Sequence, residues 1–286
     1  MRLPPTIELA RPLNCLLTGA AVLIGAVVTV GNLNIPWQVL TFTFLTAAFV
    51  AAGGNALNDY SDQEIDHINR PDRPIPSGRI TALGALITSQ VLLMAGIAFT
   101  AFLNPYCLLI AGLNSHVLVL YAWKLKRWGL AGNLSIGYLV GSTFLFGGFA
   151  IASLGATPTI PGKLLILVLM ASLSTVGREL IKAIEDMKGD RKLGLRTFPI
   201  RHGADKAAVL AVGFIFAATA ISPMPYVLGI FGWQYLVLVM VSIAAFLIAA
   251  MIIAQSWEPK AAAKASLACK VGMGLGLLAF MVGAFL

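Results

Sequence analysis

The sequence predicts an all-α, polytopic membrane protein with nine transmembrane helices and a cytoplasmic N-terminus. Three observations carry that expectation. Of 286 residues, 58% are hydrophobic and only 11% are charged, against about 25% charged in an ordinary soluble domain. The apolar residues gather into nine runs, each long enough to cross a bilayer. When the connections between runs are assigned alternately to two sides, 19 of the 20 Lys and Arg residues fall on one of them. A soluble globule of this length has no interior large enough for so much apolar surface, and the mean hydropathy of +0.87 agrees. A soluble enzyme, a disordered chain and a disulfide-stapled secreted domain are thereby excluded. Cys15, Cys107 and Cys269 are odd in number, lie in apolar runs and lack CxxC spacing, so they suggest neither a disulfide framework nor a zinc site.

A bilayer-crossing helix needs about 20 mostly apolar residues. The runs lie near 13–31, 37–57, 81–103, 105–122, 131–153, 163–182, 206–222, 233–255 and 264–286. The first is too long for a cleavable signal peptide and lacks a small-residue cleavage site. Gly31-Asn32 and Pro36 separate it from the second, Asn104-Pro105 separates the third from the fourth, the stretch from Gly155 to Pro161 comes after the fifth, and Pro223-Met224-Pro225 after the seventh. The apolar run hardly pauses between 206 and 232, where proline is the main break. A single transmembrane domain over 1–286 is expected, with site loops at about 58–80 and 178–205.

Charge sets the orientation. The N-terminus and the connections 2–3, 4–5, 6–7 and 8–9 carry Arg2, Arg11, Arg70, Arg73, Arg79, Lys124, Lys126, Arg127, Arg178, Lys182 and nine further cations, while Lys163 alone is opposite. By the positive-inside rule the rich side is cytoplasmic. This placement explains the net charge of +8 without a nucleic-acid partner. All 12 acidic residues share that side, and the rule does not require it. Asp59, Asp62, Glu64, Asp66 and Asp72 sit at the 2–3 connection; Glu179, Glu185, Asp186, Asp190 and Asp205 sit at the 6–7 connection.

Both acidic clusters have helical spacing. If the second helix continues, Asn58, Asp62 and Asp66 stand at i, i+4 and i+8, and Asp59 joins their stripe seven residues before Asp66. In the other cluster Asp186 and Asp190 are four apart, Lys182 lies one turn earlier, and Glu179 shares their face. Stacked like charges repel, the more so near a membrane where the dielectric is low. A divalent cation removes that cost. Oxygen donors with no His or Cys in register indicate a hard cation, Mg²⁺ or Mn²⁺, and Mg²⁺ completes its shell with water and phosphate. Two such stripes facing each other would clamp a diphosphate between metal ions. Arg70, Arg73, Lys126, Arg178 and Lys182 are candidate phosphate contacts, and Tyr121, beside a charged helix end, is a candidate substrate contact.

Blander readings exist for each feature. A lone DxxxD pair is usually a solvated helix face, and cations at a membrane surface serve topology and anionic lipid. Two acidic stripes ending two even-numbered helices, with the other loops nearly free of acid, favour the metal–diphosphate reading. His67 and His202 read as loop residues, His116 as a hydrogen-bonded helix-packing residue, and the methionines and aromatics as packing or interfacial residues.

The run Asn58-Asp59-Tyr60-Ser61-Asp62-Gln63-Glu64-Ile65-Asp66 resembles the NDxxDxxxD signature of the UbiA superfamily of intramembrane prenyltransferases, and Asp186-Met-Lys-Gly-Asp190 resembles its second motif, DxxxD. The stretch from Lys192 to Ile200 resembles the family's segment downstream of that motif, so the likeness covers nearly the whole chain. It implies a UbiA-like bundle, with Mg²⁺ held by Asn58, Asp59, Asp62, Asp66, Asp186 and Asp190 and with Asp62, Asp66, Asp186 and Asp190 as the catalytic set. The segments from Glu8 to Cys15, Ile68 to Ile80 and Gly177 to Lys182 resemble the archaeal ether-lipid branch, whose members join a second geranylgeranyl chain to geranylgeranylglyceryl phosphate. The chain departs from the family at Ala183, where many members carry Asp; either that Asp is dispensable or the second metal rests on Asp186 and Asp190 alone.

The resemblance thus implies alkyl transfer from geranylgeranyl diphosphate to a lipid-soluble acceptor at the cytoplasmic face of the cell membrane, among membrane lipids. Three other readings stand beside it. An aromatic acceptor such as 4-hydroxybenzoate or a quinone precursor carries no phosphate, and the cation surplus around 178–201 favours glyceryl phosphate. A cation transporter predicts ionisable residues at mid-bilayer, and the middles of the nine runs have no Asp, Glu, Lys or Arg. A non-catalytic scaffold for anionic lipid would tolerate replacing the acids with Asn.

Overall fold

The computed structural model of the chain describes residues 3–152, 154, 161–192 and 194–285. Arg2, residue 153 at the end of the fifth predicted span, breaker residues 155–160, Leu193 and Leu286 lie outside the described residues, as do the side chains of Ile68, Asn69 and Ala152. Among the described residues every regular element is helical. The α-helices are α1 (Pro5–Ala10), α2 (Pro12–Val30), α3 (Trp37–Ser61), α4 (Gln63–Asn69), α5 (Ala82–Phe99), α6 (Pro105–Trp123), α7 (Leu130–Ala152), α8 (Gly162–Lys192), α9 (Phe198–His202), α10 (Ala204–Ile221), α11 (Met224–Val227), α12 (Trp233–Gln255) and α13 (Pro259–Phe285).

Among the described residues nine helices are long and apolar enough to cross a bilayer: α2, α3, α5, α6, α7, α8, α10 with its continuation to Val227, α12 and α13. Each coincides with a run predicted from hydropathy. None buries more than half of its most apolar window within the protein, and Val91, Met94, Leu109, Val241 and Met251 are exposed along them. Only hydrocarbon solvates such faces.

The spans end where local chemistry stops them. Pro36 caps α3, and Thr81 Oγ1 accepts a hydrogen bond from the Gly84 amide at 3.0 Å to start α5. Hydropathy places the sixth span's end near 182, yet α8 runs to Lys192. Apolar content measures membrane depth, whereas helix propagation needs only good formers. The stretch from Glu179 to Lys188 is rich in Glu, Lys, Ala and Met, so the helix continues beyond its apolar part. Gly194 (φ 68°) ends it: its amide donates to the Arg191 carbonyl at 3.2 Å, and the Leu195 amide donates to the Asp190 carbonyl at 3.0 Å. This is a Schellman closure, which needs a left-handed residue.

The chain packs as two compact units. The first comprises Met1–Ala26, Asn34–Trp123 and Thr143–Thr159. Its core joins Val22, Ala47, Cys107, Ile110, Ala111, Phe146 and Ala150, and a smaller cluster joins Leu9, Ala56, Ile75 and Ala85. Gly25 faces the Phe144 carbonyl and Gly147 the Val22 carbonyl so closely that neither position has room for a Cβ. Such backbone approach is how helices pack where lipid removes the hydrophobic drive between them. Ser89 Oγ donates to the Gly53 carbonyl at 2.9 Å, tying α5 to α3.

The second unit comprises Val27–Leu33, Lys124–Ser142 and Ile160–Leu286. Val176, Leu180, Ile181 and Ile184 of α8 pack with Ala207, Ala211 and Ile215 of α10, with Phe246 and Ile253 of α12, and with Ala262, Ala265 and Cys269 of α13. Ser242 Oγ donates to the Gly272 carbonyl at 2.7 Å, and Tyr235 Oη to the Ser222 carbonyl.

Candidate active site

The first acidic motif occupies the junction of α3 and α4 in the first unit. The Asp62 amide donates to the Asn58 carbonyl at 2.9 Å and the Asp66 amide to the Asp62 carbonyl at 2.8 Å. The four-residue hydrogen-bond register therefore survives the small deviation at Asp62 (φ −94°, ψ 5°). Asn58, Asp62 and Asp66 keep the common stripe that their spacing predicts.

Within the stripe the side chains divide into two sets. Asn58 Nδ2 donates to Asp62 Oδ2 at 3.0 Å, and both residues are half-buried. Asp59 and Asp66 are each only 5% exposed. Arg73 Nη1 donates to Asp59 Oδ1 at 3.1 Å and to Asp66 Oδ2 at 2.5 Å, and Arg11 Nη2 donates to the same Asp59 Oδ1 at 2.5 Å. Guanidinium donors offset the cost of burying carboxylates, and here two arginines face two acids. Arg70 is exposed.

The second motif belongs to α8 in the second unit. Arg178, Lys182, Asp186 and Asp190 stand at four-residue steps along this helix. Lys182 Nζ reaches Asp186 Oδ2 at 2.8 Å, with both side chains over two-fifths exposed. Arg178 Nη1 donates to Glu179 Oε1 at 2.6 Å, while its Nε is buried without a partner. Lys126, from the 3₁₀ turn Leu125–Arg127, and Lys182 are the cations whose charges act on Asp190. Tyr121 lies half-buried in the last turn of α6, in the first unit.

The donor set suits a hard divalent ion: amide and carboxylate oxygens, with no thiol or imidazole among them. Among the described residues no three His, Cys, Asp or Glu side chains converge into a ready-made cage. Mg²⁺ does not require one, because it usually takes one or two carboxylates and keeps water and phosphate.

Sequence reasoning placed Arg11 on the cation-rich side but gave it no part in the site. The signal was a Glu three residues before an Arg that precedes a proline at the entrance to a span. Three histidine expectations also change. His67 lies within α4, its Nδ1 2.7 Å from the Gln63 carbonyl. His202 ends α9 with its ring 4.7 Å from that of Phe198. His116 is exposed on α6 and does not pack inward. Short helices in connections escape hydropathy because they bury too little to leave a period.

Residues 18–281 match the UbiA prenyltransferase family. Digeranylgeranylglyceryl phosphate synthase of Methanopyrus kandleri is 42% identical over 276 residues, covering 96% of this chain and 97% of that relative. A solved structure concerned with digeranylgeranylglyceryl phosphate synthase in membranes superposes with a TM-score of 0.85 at 39% identity, over 98% of this chain and 97% of its own. A UbiA homologue from Archaeoglobus fulgidus, solved bound to GPP and Mg²⁺, shares the fold, with a TM-score of 0.70 at 17% identity over 97% and 100% of the two chains. The matched region takes in all or most of each of the nine spans found among the described residues, with the asparagine–aspartate stripe ending the second and the acidic stripe ending the sixth, and this multi-pass membrane protein belongs to the UbiA prenyltransferase family.

Proposed function

We propose that this protein transfers the geranylgeranyl group of geranylgeranyl diphosphate to geranylgeranylglyceryl phosphate, giving digeranylgeranylglyceryl phosphate and free diphosphate. The observation that carries this reading is the 42% identity to a digeranylgeranylglyceryl phosphate synthase over 96% of the chain. One prenyltransferase domain over 1–286 does the work, in the cell membrane, with the N-terminus and the site on the cytoplasmic side. The gathering of 19 of 20 basic residues on one side supports that orientation.

Asn58, Asp59, Asp62, Asp66, Asp186 and Asp190 would hold Mg²⁺, and their all-oxygen chemistry supports it over softer metals. Bound Mg²⁺ supplies charge neutralisation for the departing diphosphate. The protein's own groups do the rest. Lys126, Lys182, Arg178 and Arg70 grip phosphate oxygens, Arg73 keeps the Asp59 and Asp66 carboxylates in place, and Tyr121 contacts substrate. Fixed charges in a dry site stabilise a leaving anion far better than water does. The apolar helix faces shelter the prenyl tails and keep water from the allylic carbon as its bond to oxygen breaks. The glycerol hydroxyl oxygen then forms the ether bond and gives its proton to a carboxylate of the site.

One assay tests the reading: purified protein, Mg²⁺, labelled geranylgeranyl diphosphate, and either geranylgeranylglyceryl phosphate or 4-hydroxybenzoate. Label entering the lipid phosphate supports it. Label entering only the benzoate transfers the assignment to an aromatic acceptor.

A further inference from the structure

The short helix α1 is more firmly held than its six residues account for. Leu9 is fully buried against Ala56, Ile75 and Ala85. Asn55 Nδ2, from α3, donates to the Ala10 carbonyl at 2.9 Å. Glu8 accepts a forked pair from Arg79, at 2.6 Å from Nη1 and 3.1 Å from Nη2. Arg79 Nη2 also donates to the Asp72 carbonyl at 2.7 Å, and Nε to Ser77 Oγ at 3.0 Å. The hydrogen bond to Glu8 raises the Arg79 pKa above its ordinary value, so the guanidinium keeps its charge. The strap therefore joins α1 to α3 on one side and to the segment after the first motif on the other.

At the end of the strap stands Arg11, the one non-glycine residue with positive φ among the described residues (φ 53°, ψ 73°). That region is disfavoured for a residue bearing a Cβ and persists only when the surroundings impose it. The result is a guanidinium delivered to Asp59 Oδ1, the oxygen that Arg73 also uses on its way to Asp66.

We infer that Arg11, held by the Glu8–Arg79 pair, is a positioning residue for the first acidic motif, fixing the Asp59 carboxylate and, through the shared Arg73, the Asp66 carboxylate. Arg11 acts through Asp59 and needs no contact with substrate. Its kinetic consequence rests on the prenyl-transfer reading above; its structural consequence does not.

The test compares Arg11→Gln, Arg11→Lys, Glu8→Arg and the charge swap Glu8→Arg/Arg79→Glu in the full-length protein. Without substrate, amide hydrogen exchange over residues 59–73 should quicken in Arg11→Gln and Glu8→Arg and return toward the parent rate in the swap. With substrates, Arg11→Gln should lower kcat about tenfold, as loss of a ligand's supporting partner does. It should also raise the Mg²⁺ concentration for half-maximal rate and leave the KM for geranylgeranyl diphosphate within about twofold. Arg11→Lys should recover part of the loss. Parent-like exchange in Arg11→Gln, or a swap no better than Glu8→Arg alone, would overturn the assignment. If Arg11→Gln does not fold, the swap against its single variant still decides. Absence of any prenyl transfer by the parent protein would overturn the reaction reading and leave the exchange comparison to judge the positioning role.

Discussion

Lys182 Nζ lies 2.8 Å from Asp186 Oδ2, one turn further along α8, while Asp190, another turn on, has no ion pair among the described residues. The pair is exposed, and exposed i,i+4 pairs contribute only about 0.3–0.5 kcal/mol. Its value is placement: one acid of the motif is paired with a cation, while the other feels the charges of Lys126 and Lys182 without an ion pair. Asp190→Asn should lower the rate of prenyl transfer by at least about a hundredfold. Lys182→Gln should change the unfolding midpoint in detergent hardly at all, yet weaken donor binding about tenfold. Steady-state kinetics beside thermal denaturation separates the two effects.

If both acidic stripes act on one chemical step, their losses will not add. Asp62→Ala and Asp190→Ala should each slow transfer by at least about a hundredfold, leaving a measurable residual rate, in membranes that still contain the folded protein. The double variant should be about as impaired as the worse single one. Single-turnover rates on the three variants make the comparison, and simple multiplication of the two losses would argue for independent roles.

Arg73 and Arg70 should respond differently to truncation. Arg73→Ala leaves two nearly buried carboxylates facing each other with one donor lost from each, so it should destabilise the protein by about 3–5 kcal/mol. Arg70→Ala removes an exposed side chain and should leave stability within about 0.5 kcal/mol while raising the KM for the diphosphate donor. Equal destabilisation by both would contradict the pairing seen at Asp59 and Asp66.

Gly147→Ala should destabilise the first unit by about 1–3 kcal/mol, because the added methyl meets the Val22 carbonyl, a backbone atom that cannot turn aside. Gly213, with open space around its Cβ position, is the control: Gly213→Ala should be neutral or slightly stabilising, since alanine favours the helix. Unfolding in graded SDS measures both.

Chelation should silence the enzyme without unfolding it. EDTA should stop transfer, added Mg²⁺ should restore it, and far-UV circular dichroism should stay unchanged throughout. Activity that survives exhaustive chelation would remove Mg²⁺ from the mechanism.

The membrane spans were legible in the sequence because a bilayer imposes one simple requirement, a long apolar run, and each of the nine runs meets it. The two motifs were legible because carboxylates at four-residue spacing are costly without a cation. Contacts that depend on the chain folding back on itself escaped. Arg11 reaches Asp59 across 48 residues and Arg79 reaches Glu8 across 71, and no local period records such distances. The extension of α8 to Lys192 was legible only in the four-residue spacing of its acids and not in hydropathy, since helix propensity persists after apolar content fades. The division of the first motif into an Asn58–Asp62 pair and an arginine-held Asp59–Asp66 pair depends on side-chain burial, which spacing alone does not encode.

At 1.5 Å per residue the 31 residues of α8 extend about 46 Å, against roughly 30 Å of hydrocarbon. A rod of that length, greasy over its first half and ionic over its last, outreaches the oily layer and carries its acids into the wet headgroup zone. On the reaction proposed above, two products of opposite solubility would then part company where they are made: the pyrophosphate into water, and the newly doubled lipid sideways among its neighbours.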